Sequence, residues 1–210
     1  MAKSSCARRG HPLFAALYDL LLGPAEKKFL GPHRVYLAGG AVGRVLDLGC
    51  GTGINFGYYS PGAEVVGIEP DPHMLRRAQG RAGRLGGRVK LLEGSAEQLP
   101  FPDRSFDAAV VTLVFCTIAD VDRALRELRR VLRPGGQIRF LEHVRAETAG
   151  WARFQDLMVR LWKRIGAGCH PNRDTVAAIE RAGFRVEELK RYAFGPYPVR
   201  PFVRGVAANP

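Results

Sequence analysis

Long apolar runs are missing from this sequence. The most apolar stretch near the N-terminus, Pro12 to Leu22, is interrupted by Tyr18 and Asp19 and is roughly half as long as a bilayer-spanning helix must be. A transmembrane helix is therefore excluded there. A secretory signal is not expected either, because Gly23-Pro24-Ala25-Glu26-Lys27-Lys28 turns charged at once, with no small-residue cleavage pattern. The expected location is cytoplasmic. Cysteine is sparse: Cys6, Cys50, Cys116 and Cys169 form no C-x-x-C pair and no zinc-site spacing, so they read as free, buried thiols in a reducing compartment with no metal bound. No internal repeat is present.

Acidic residues are also in short supply, 20 against 32 basic ones, for a net charge of +12. The imbalance is uneven. Residues 1–44 carry 7 basic and 2 acidic side chains, residues 45–144 carry 13 and 12, and residues 145–210 carry 12 and 6. The excess thus lies in the flanks, which suit an acidic partner such as an anionic membrane surface, or reflect a bias toward arginine with no partner. At 210 residues and 46% hydrophobic content, the chain is read as one domain, with a helical cover (1–44), a core (45–144) and a segment that completes the sheet and covers the site (145–210).

The core opens on Val45 to Gly53, VLDLGCGTG. Val45, Leu46 and Leu48 suit a buried strand, and Gly49, Gly51 and Gly53 suit a turn that lets a ligand approach the backbone. About twenty residues past Gly49 a second apolar run, Val65 to Ile68, ends in Glu69. In a strand-turn-helix-strand unit that acid lies beside the glycine turn and can accept hydrogen bonds from ribose hydroxyls. The spacing G-x-G-x-G differs from the G-x-G-x-x-G that seats a pyrophosphate. A nucleoside without phosphates fits better.

Periodicity and capping supply the remaining elements. Helical spacing begins at Leu13, Phe14 and Leu17, resumes over Ala25 to Leu37, and gives a short helix over Ile54 to Tyr59. Asp71, with Pro72 at the first helical position, caps a helix running to about Gly83, and Asp120 caps one whose Ala124, Leu125, Leu128, Val131 and Leu132 bury a single face. Further strands are expected at Val89 to Glu93, Ala108 to Leu113, Gln137 to Leu141, Arg185 to Leu189 and around Val203 to Ala207. An amphipathic helix covers Trp151 to Ile165, and another starts at Asn172 or Asp174 and runs to Ala182.

These motifs resemble the class I S-adenosylmethionine-dependent methyltransferases. Gly94-Ser95-Ala96-Glu97, Leu99-Pro100-Phe101, Ser105-Phe106-Asp107 and Leu132-Arg133-Pro134-Gly135-Gly136 follow the glycine turn in the family's order. The resemblance implies an α/β, Rossmann-like, seven-stranded, mostly parallel sheet with helices on both faces. The N-terminal helices and one inserted helix would cover the site, and S-adenosyl-L-methionine would be the cofactor. It also implies contacts: Asp47 toward the amino acid end of the cofactor, Glu69 on the ribose, Met74 against the adenine, and Ser95 where the family commonly has Asp. Gly49, Cys50, Gly51, Gly53, Asn55, Pro70, Ala96, Glu97 and Leu113 complete the cofactor set, with Tyr18 as a lid residue.

The distal features, Leu113 to Ile118, Glu142-His143-Val144, the Trp151 helix, Gly168-Cys169-His170 and Arg200-Pro201, resemble the membrane-associated alkyl thiol methyltransferases and their bacterial relatives. That resemblance implies a small apolar or amphipathic acceptor, an alkyl thiol first, with methylation of a quinone ring or a phospholipid amine as the alternative. A non-enzymatic cofactor-binding protein on the same fold is the competing class. A thiol protonated at neutral pH benefits from a base, which points to His143 or His170 as catalytic; each could instead be structural. No Asn-Pro-Pro-Tyr-like motif follows strand four to hold a flipped base, which argues against nucleic acid as substrate.

Overall fold

A computed structural model describes Gly23 and residues 26–166, 168–195 and 198–210. Its centre is a seven-stranded sheet in the order β3-β2-β1-β4-β5-β7-β6, built from β1 (Arg44–Leu48), β2 (Glu64–Glu69), β3 (Val89–Glu93), β4 (Phe106–Thr112), β5 (Leu132–His143), β6 (Arg185–Ala193) and β7 (Pro201–Ala208). The first five strands pair in parallel, and β7 runs antiparallel to both of its neighbours. Strand order reverses at β1, which pairs with β2 on one side and β4 on the other. A sheet of this kind opens its ligand crevice outside the strand ends at that point.

Register places the crevice residues. Leu48 stands opposite Ile68 and Val111, so Gly49, Glu69 and Leu113 emerge at neighbouring carboxyl ends. Alternation then sorts the faces. Leu46 and Leu48 pack with the helix α3 (Val121–Val131), whereas Val45 packs with α1 (Gly31–Gly39) and α2 (Pro72–Gly83). Asp47 shares the α1 face.

The caps form where expected. Asp71 accepts from the N–H groups of His73 and Met74 at the head of α2, Asp120 from Arg123 at the head of α3, and Asp174, the first residue before α5 (Thr175–Arg181), from Ala177. Helix α3 buries Ala124, Leu125, Leu128 and Val131 and turns its arginines outward. The inserted helix α4 begins two residues early, at Ala149, and ends at Ile165.

Four of the boundaries that differ from the pattern reading have a tertiary reason. Helical structure over 26–39 divides into a π-helical turn, Glu26–Leu30, and α1. Strand β4 stops at Thr112, because Leu113 adopts a left-handed φ of +60°, a conformation costing an L-residue about 1–2 kcal/mol. Strand β5 starts at Leu132, where Leu132 pairs with Phe106 and Gln137 with Ala108, leaving a bulge between them. Asn209 latches this bulge by donating to the carbonyls of Arg129, Leu132 and Arg133. Strand β6 continues to Ala193 because its antiparallel pairing with β7 persists to Ala193–Pro201.

Candidate functional site: the glycine turn and the strand ends

After β1 the chain turns through Gly49, Gly51 and Gly53 with φ values of +60°, +57° and +81°. The turn is pinned to β2 by the Cys50 N–H on the Ile68 carbonyl (3.1 Å) and by the Gly51 N–H on Glu69 Oε2 (2.9 Å). A side chain at Gly53 would strike the fully buried Phe56 ring at 2.4 Å. A Cβ at Gly51 would meet nothing closer than 4.0 Å. Open space therefore lies in front of Gly51, as close approach by a ligand requires. Cys50 faces inward under Gly67, and burial, aided by Asp47 and Glu69, pushes its thiol pKa well up.

Gly53 yields a direct test. Gly53→Ala combines a left-handed φ with overpacking and is expected to cost at least about 2 kcal/mol, lowering Tm by roughly 4–8 °C. Gly57→Ala, which adds a Cβ where nothing lies within 4 Å, should leave Tm nearly unchanged. Scanning calorimetry that found equal Tm values for the two variants would contradict this account of the turn.

Glu69 is buried and holds both carboxylate oxygens at the crevice. Oε2 takes the Gly51 N–H, and Oε1 takes the Asp71 N–H at 3.0 Å. Burial raises its pKa to about 7, partly offset by these two donors. Each oxygen accepts one protein hydrogen bond and keeps a lone pair, so the pair can accept from a vicinal diol. Asp47 is buried on the same side of the turn. Its Oδ1 accepts from Asn55 Nδ2 at 3.1 Å, its Oδ2 has no partner, and the buried Tyr59 hydroxyl faces it without reaching hydrogen-bond geometry. Burial raises the Asp47 pKa to about 6. A buried carboxylate oxygen left unpartnered is a place for a ligand's cationic donor.

Asn55 is oriented from behind. Arg34, 4% exposed, donates to Asn55 Oδ1 at 2.7 Å while pairing bidentately with Glu26 at 2.5 and 3.0 Å. The guanidinium can only donate, so it fixes the amide oxygen toward itself and the Nδ2 toward Asp47. Neither Arg34 nor Glu26 belongs to a recognisable motif, and sequence reasoning missed both.

The third strand end contributes Ser95, Ala96 and Glu97. Ser95 Oγ accepts from the Glu97 N–H at 3.2 Å, Glu97 Oε1 accepts from the Asp120 N–H at 2.8 Å, and Ala96 is buried in the core. Glu97 therefore ties this loop to the cap of α3. Met74 is buried in the first turn of α2, and Pro70 is exposed beside Glu69. These residues gather with the glycine turn, Asn55 and Leu113 around the carboxyl ends of β1 to β4. Tyr18 and the expected Leu13 helix lie outside the described residues.

The two histidines are held differently. His143, the last residue of β5, pairs with Phe202 in β7 and shares the Asp47 face of the sheet, its ring 4.3 Å from that of Phe202. Its Nδ1 lies 2.9 Å from the Val199 carbonyl, which can only accept, so Nδ1 carries the proton and Nε2 the lone pair. Burial lowers its pKa to about 4. His170 sits on the loop after α4, its N–H donating to the Cys116 carbonyl at 2.7 Å and its Nδ1 3.2 Å from the same oxygen. Burial and the nearby Arg173 and Lys163 lower its pKa as well. Both rings are neutral at pH 7. Immediately before His143, Glu142 is fully buried on the opposite face, accepts from the N–H groups of Val114, Phe115 and Cys116, and has its pKa raised by burial to about 7.

Comparison with known proteins identifies the family and the fold. A family model described as "Methyltransferase domain" matches residues 46–140. Human thiol S-methyltransferase TMT1B is 36% identical over 81% of this chain and 73% of its own length. Phosphatidylethanolamine N-methyltransferase of Cereibacter sphaeroides is 29% identical over 90% of this chain and 92% of its own. The crystal structure of a SAM-dependent methyltransferase from Aquifex aeolicus superposes with a TM-score of 0.69 at 19% identity, covering 96% of this chain and 100% of that one. Among the described residues, no helix is long and apolar enough to cross a membrane.

Proposed function

Because the chain belongs to the S-adenosylmethionine-dependent methyltransferases, we propose that it methylates a small apolar or amphipathic acceptor, an alkyl thiol before others. S-adenosyl-L-methionine, when bound, supplies a sulfonium methyl already activated for transfer. Glu69 would hold the ribose, Asp47 the amino acid end, and Met74 with Ser95 and Ala96 the adenine. The turn from Gly49 to Gly53, including Cys50, supplies backbone without obstruction, Asn55 orients Asp47, and Pro70, Glu97 and Leu113 complete the rim. The pairing of an unpartnered Asp47 oxygen with a diol-ready Glu69 is the arrangement such a cofactor needs.

The observation that carries the thiol reading is His143. Its Nε2 keeps a lone pair at neutral pH and makes no hydrogen bond among the described residues. Around it, Phe202 stacks on Phe194 at 4.2 Å, and Phe194 on Phe29 at 5.5 Å. An apolar wall with one convergent acceptor suits an amphipathic molecule bearing a weakly acidic proton. The relative that methylates a phospholipid amine supports a second reading, in which the same neutral ring accepts an ammonium proton; a quinone ring is the third. Radiolabelled S-adenosyl-L-methionine with a panel of thiols, quinols, phospholipids and tRNA separates them. Label appearing in small thiols is the expected result, and label confined to tRNA would reject the pocket argument.

A peripheral membrane contact is also proposed. Helix α4 leaves Trp151, Leu157, Leu161 and Ile165 exposed, with Arg153, Arg160, Lys163 and Arg164 exposed among them. Apolar side chains interleaved with basic ones fit an anionic lipid surface, and the flanking segments add the same sign of charge. Sedimentation with vesicles should show binding to anionic lipid that weakens at high salt. Equal binding to neutral and anionic vesicles would leave the basic flanks without a partner.

A further inference from the structure

Glu142 and His143 leave β5 on opposite faces. His143 faces the aromatic wall; Glu142, with 0% exposure, reaches under the segment that follows β4. Its Oε1 accepts from Val114 (2.7 Å) and Phe115 (3.0 Å), and its Oε2 from Cys116 (3.3 Å). Three consecutive N–H groups thus converge on one carboxylate. The carbonyls of the same segment are held from the other side, with Arg173 donating to Phe115 O and His170 N–H to Cys116 O at 2.7 Å.

The segment so held is not a relaxed turn. It begins at Leu113 in a left-handed conformation, anchored by its N–H on the Leu141 carbonyl at 2.8 Å. Strain of this kind persists only where its surroundings over-determine it. The next residue, Val114, rests its methyl groups on the glycine turn, close enough that a Cβ at Gly49 would come within 2.6 Å of Val114 Cγ1. Glu142 therefore sets where Val114 lies, and Val114 lies against the first glycine of the cofactor turn. A buried charge is a poor way to gain stability, since apolar side chains of similar volume stabilise as well or better.

We propose that Glu142 is a positioning residue for methyl transfer: its carboxylate fixes residues 113–117 against the glycine turn, so that the acceptor side of the site stands in register with the cofactor side. The proposal rests on the methyl-transfer reading above, in which the acceptor enters beside His143, at the end of the strand that pairs with β4 and so next to the place where this segment leaves the sheet.

Glu142→Gln tests it, because the amide keeps the volume and loses acceptor capacity. An N–H left without its acceptor should open the segment about 10- to 100-fold more often. Hydrogen exchange at Val114, Phe115 and Cys116 should quicken by that factor, while Val110 and Val111 in β4 keep their protection. Turnover should fall by a similar factor, with the Kd for S-adenosyl-L-methionine changed less than about threefold. Should this variant fail to fold, Arg173→Gln releases the Phe115 carbonyl from the far side and should show the same split between kcat and Kd, to a smaller extent. Unchanged turnover despite faster exchange at residues 114–116 would overturn the proposal. So would parallel losses of turnover, cofactor affinity and melting temperature. A wild-type enzyme that ignores thiols and methylates another acceptor overturns the thiol reading alone, since the split is then read with that acceptor.

Discussion

His143→Ala is expected to lower the rate of methyl transfer to an alkyl thiol, protonated at the assay pH, by roughly 100-fold, and to affect an aryl thiol that is already ionised far less. The reason lies in the tautomer. Nδ1–H is committed to the Val199 carbonyl, so Nε2 is the nitrogen that can accept a proton. A histidine with a pKa near 4 cannot simply strip a thiol of pKa about 8.5, since that transfer is uphill by roughly 6 kcal/mol. It can accept the S–H hydrogen bond and take the proton as the sulfur becomes alkylated, because that proton becomes strongly acidic while the new bond forms. A pH dependence follows. With its pKa depressed, His143 stays in the base form throughout the range above about pH 5, so the rate profile should show no limb near 6.5. Equal losses for both thiols would assign His143 to structure, and a limb near 6.5 lost in His143→Ala would refute the depressed pKa. His170→Ala is the companion variant, whose ring sits on the Cys116 carbonyl and whose loss should be smaller if His143 is the base.

Glu69→Ala should weaken binding of S-adenosyl-L-methionine by about 1.5–3 kcal/mol, or about 10- to 150-fold, the range for hydrogen bonds to a charged group. The effect carries a pH signature with a definite sign. Burial raises the Glu69 pKa to about 7, so below that pH the carboxyl is protonated and one oxygen becomes a donor. Ribose hydroxyls donate to the ionised form. Affinity should therefore strengthen as pH rises through 7, by about tenfold between pH 6 and pH 8, and Glu69→Gln should flatten that dependence. Calorimetry showing wild-type affinity in Glu69→Ala would remove Glu69 from the cofactor site. A flat pH profile in the wild type would place its pKa well below 7.

Spacing alone disclosed the glycine turn, the acid about twenty residues beyond it, and the caps at Asp71 and Asp120, while it left the start of the last helix open between Asn172 and Asp174. Each is a local device: a left-handed turn needs glycine where it occurs, and a cap lies within three residues of the N–H that it satisfies. The same holds for α3, whose buried face repeats along a single helix. From these the parallel sheet, its crevice and the nucleoside cofactor could be inferred before any coordinates, because connection rules leave few ways to assemble such units.

What the tertiary structure decided involves partners far apart in the chain. Arg34 reaches Asn55 across 21 residues, and Glu142 reaches Val114 across 28. No periodicity announces either pair, since both depend on how helices and strand ends seat against one another. The two histidines were equivalent as letters. Only packing distinguished a His143 half-buried against Phe202, its proton directed at the Val199 carbonyl, from a His170 laid over Cys116. Residue type determines which protons and lone pairs a side chain can offer. Burial and the position of the nearest fixed carbonyl determine which of them remain available, and those are properties of the folded chain.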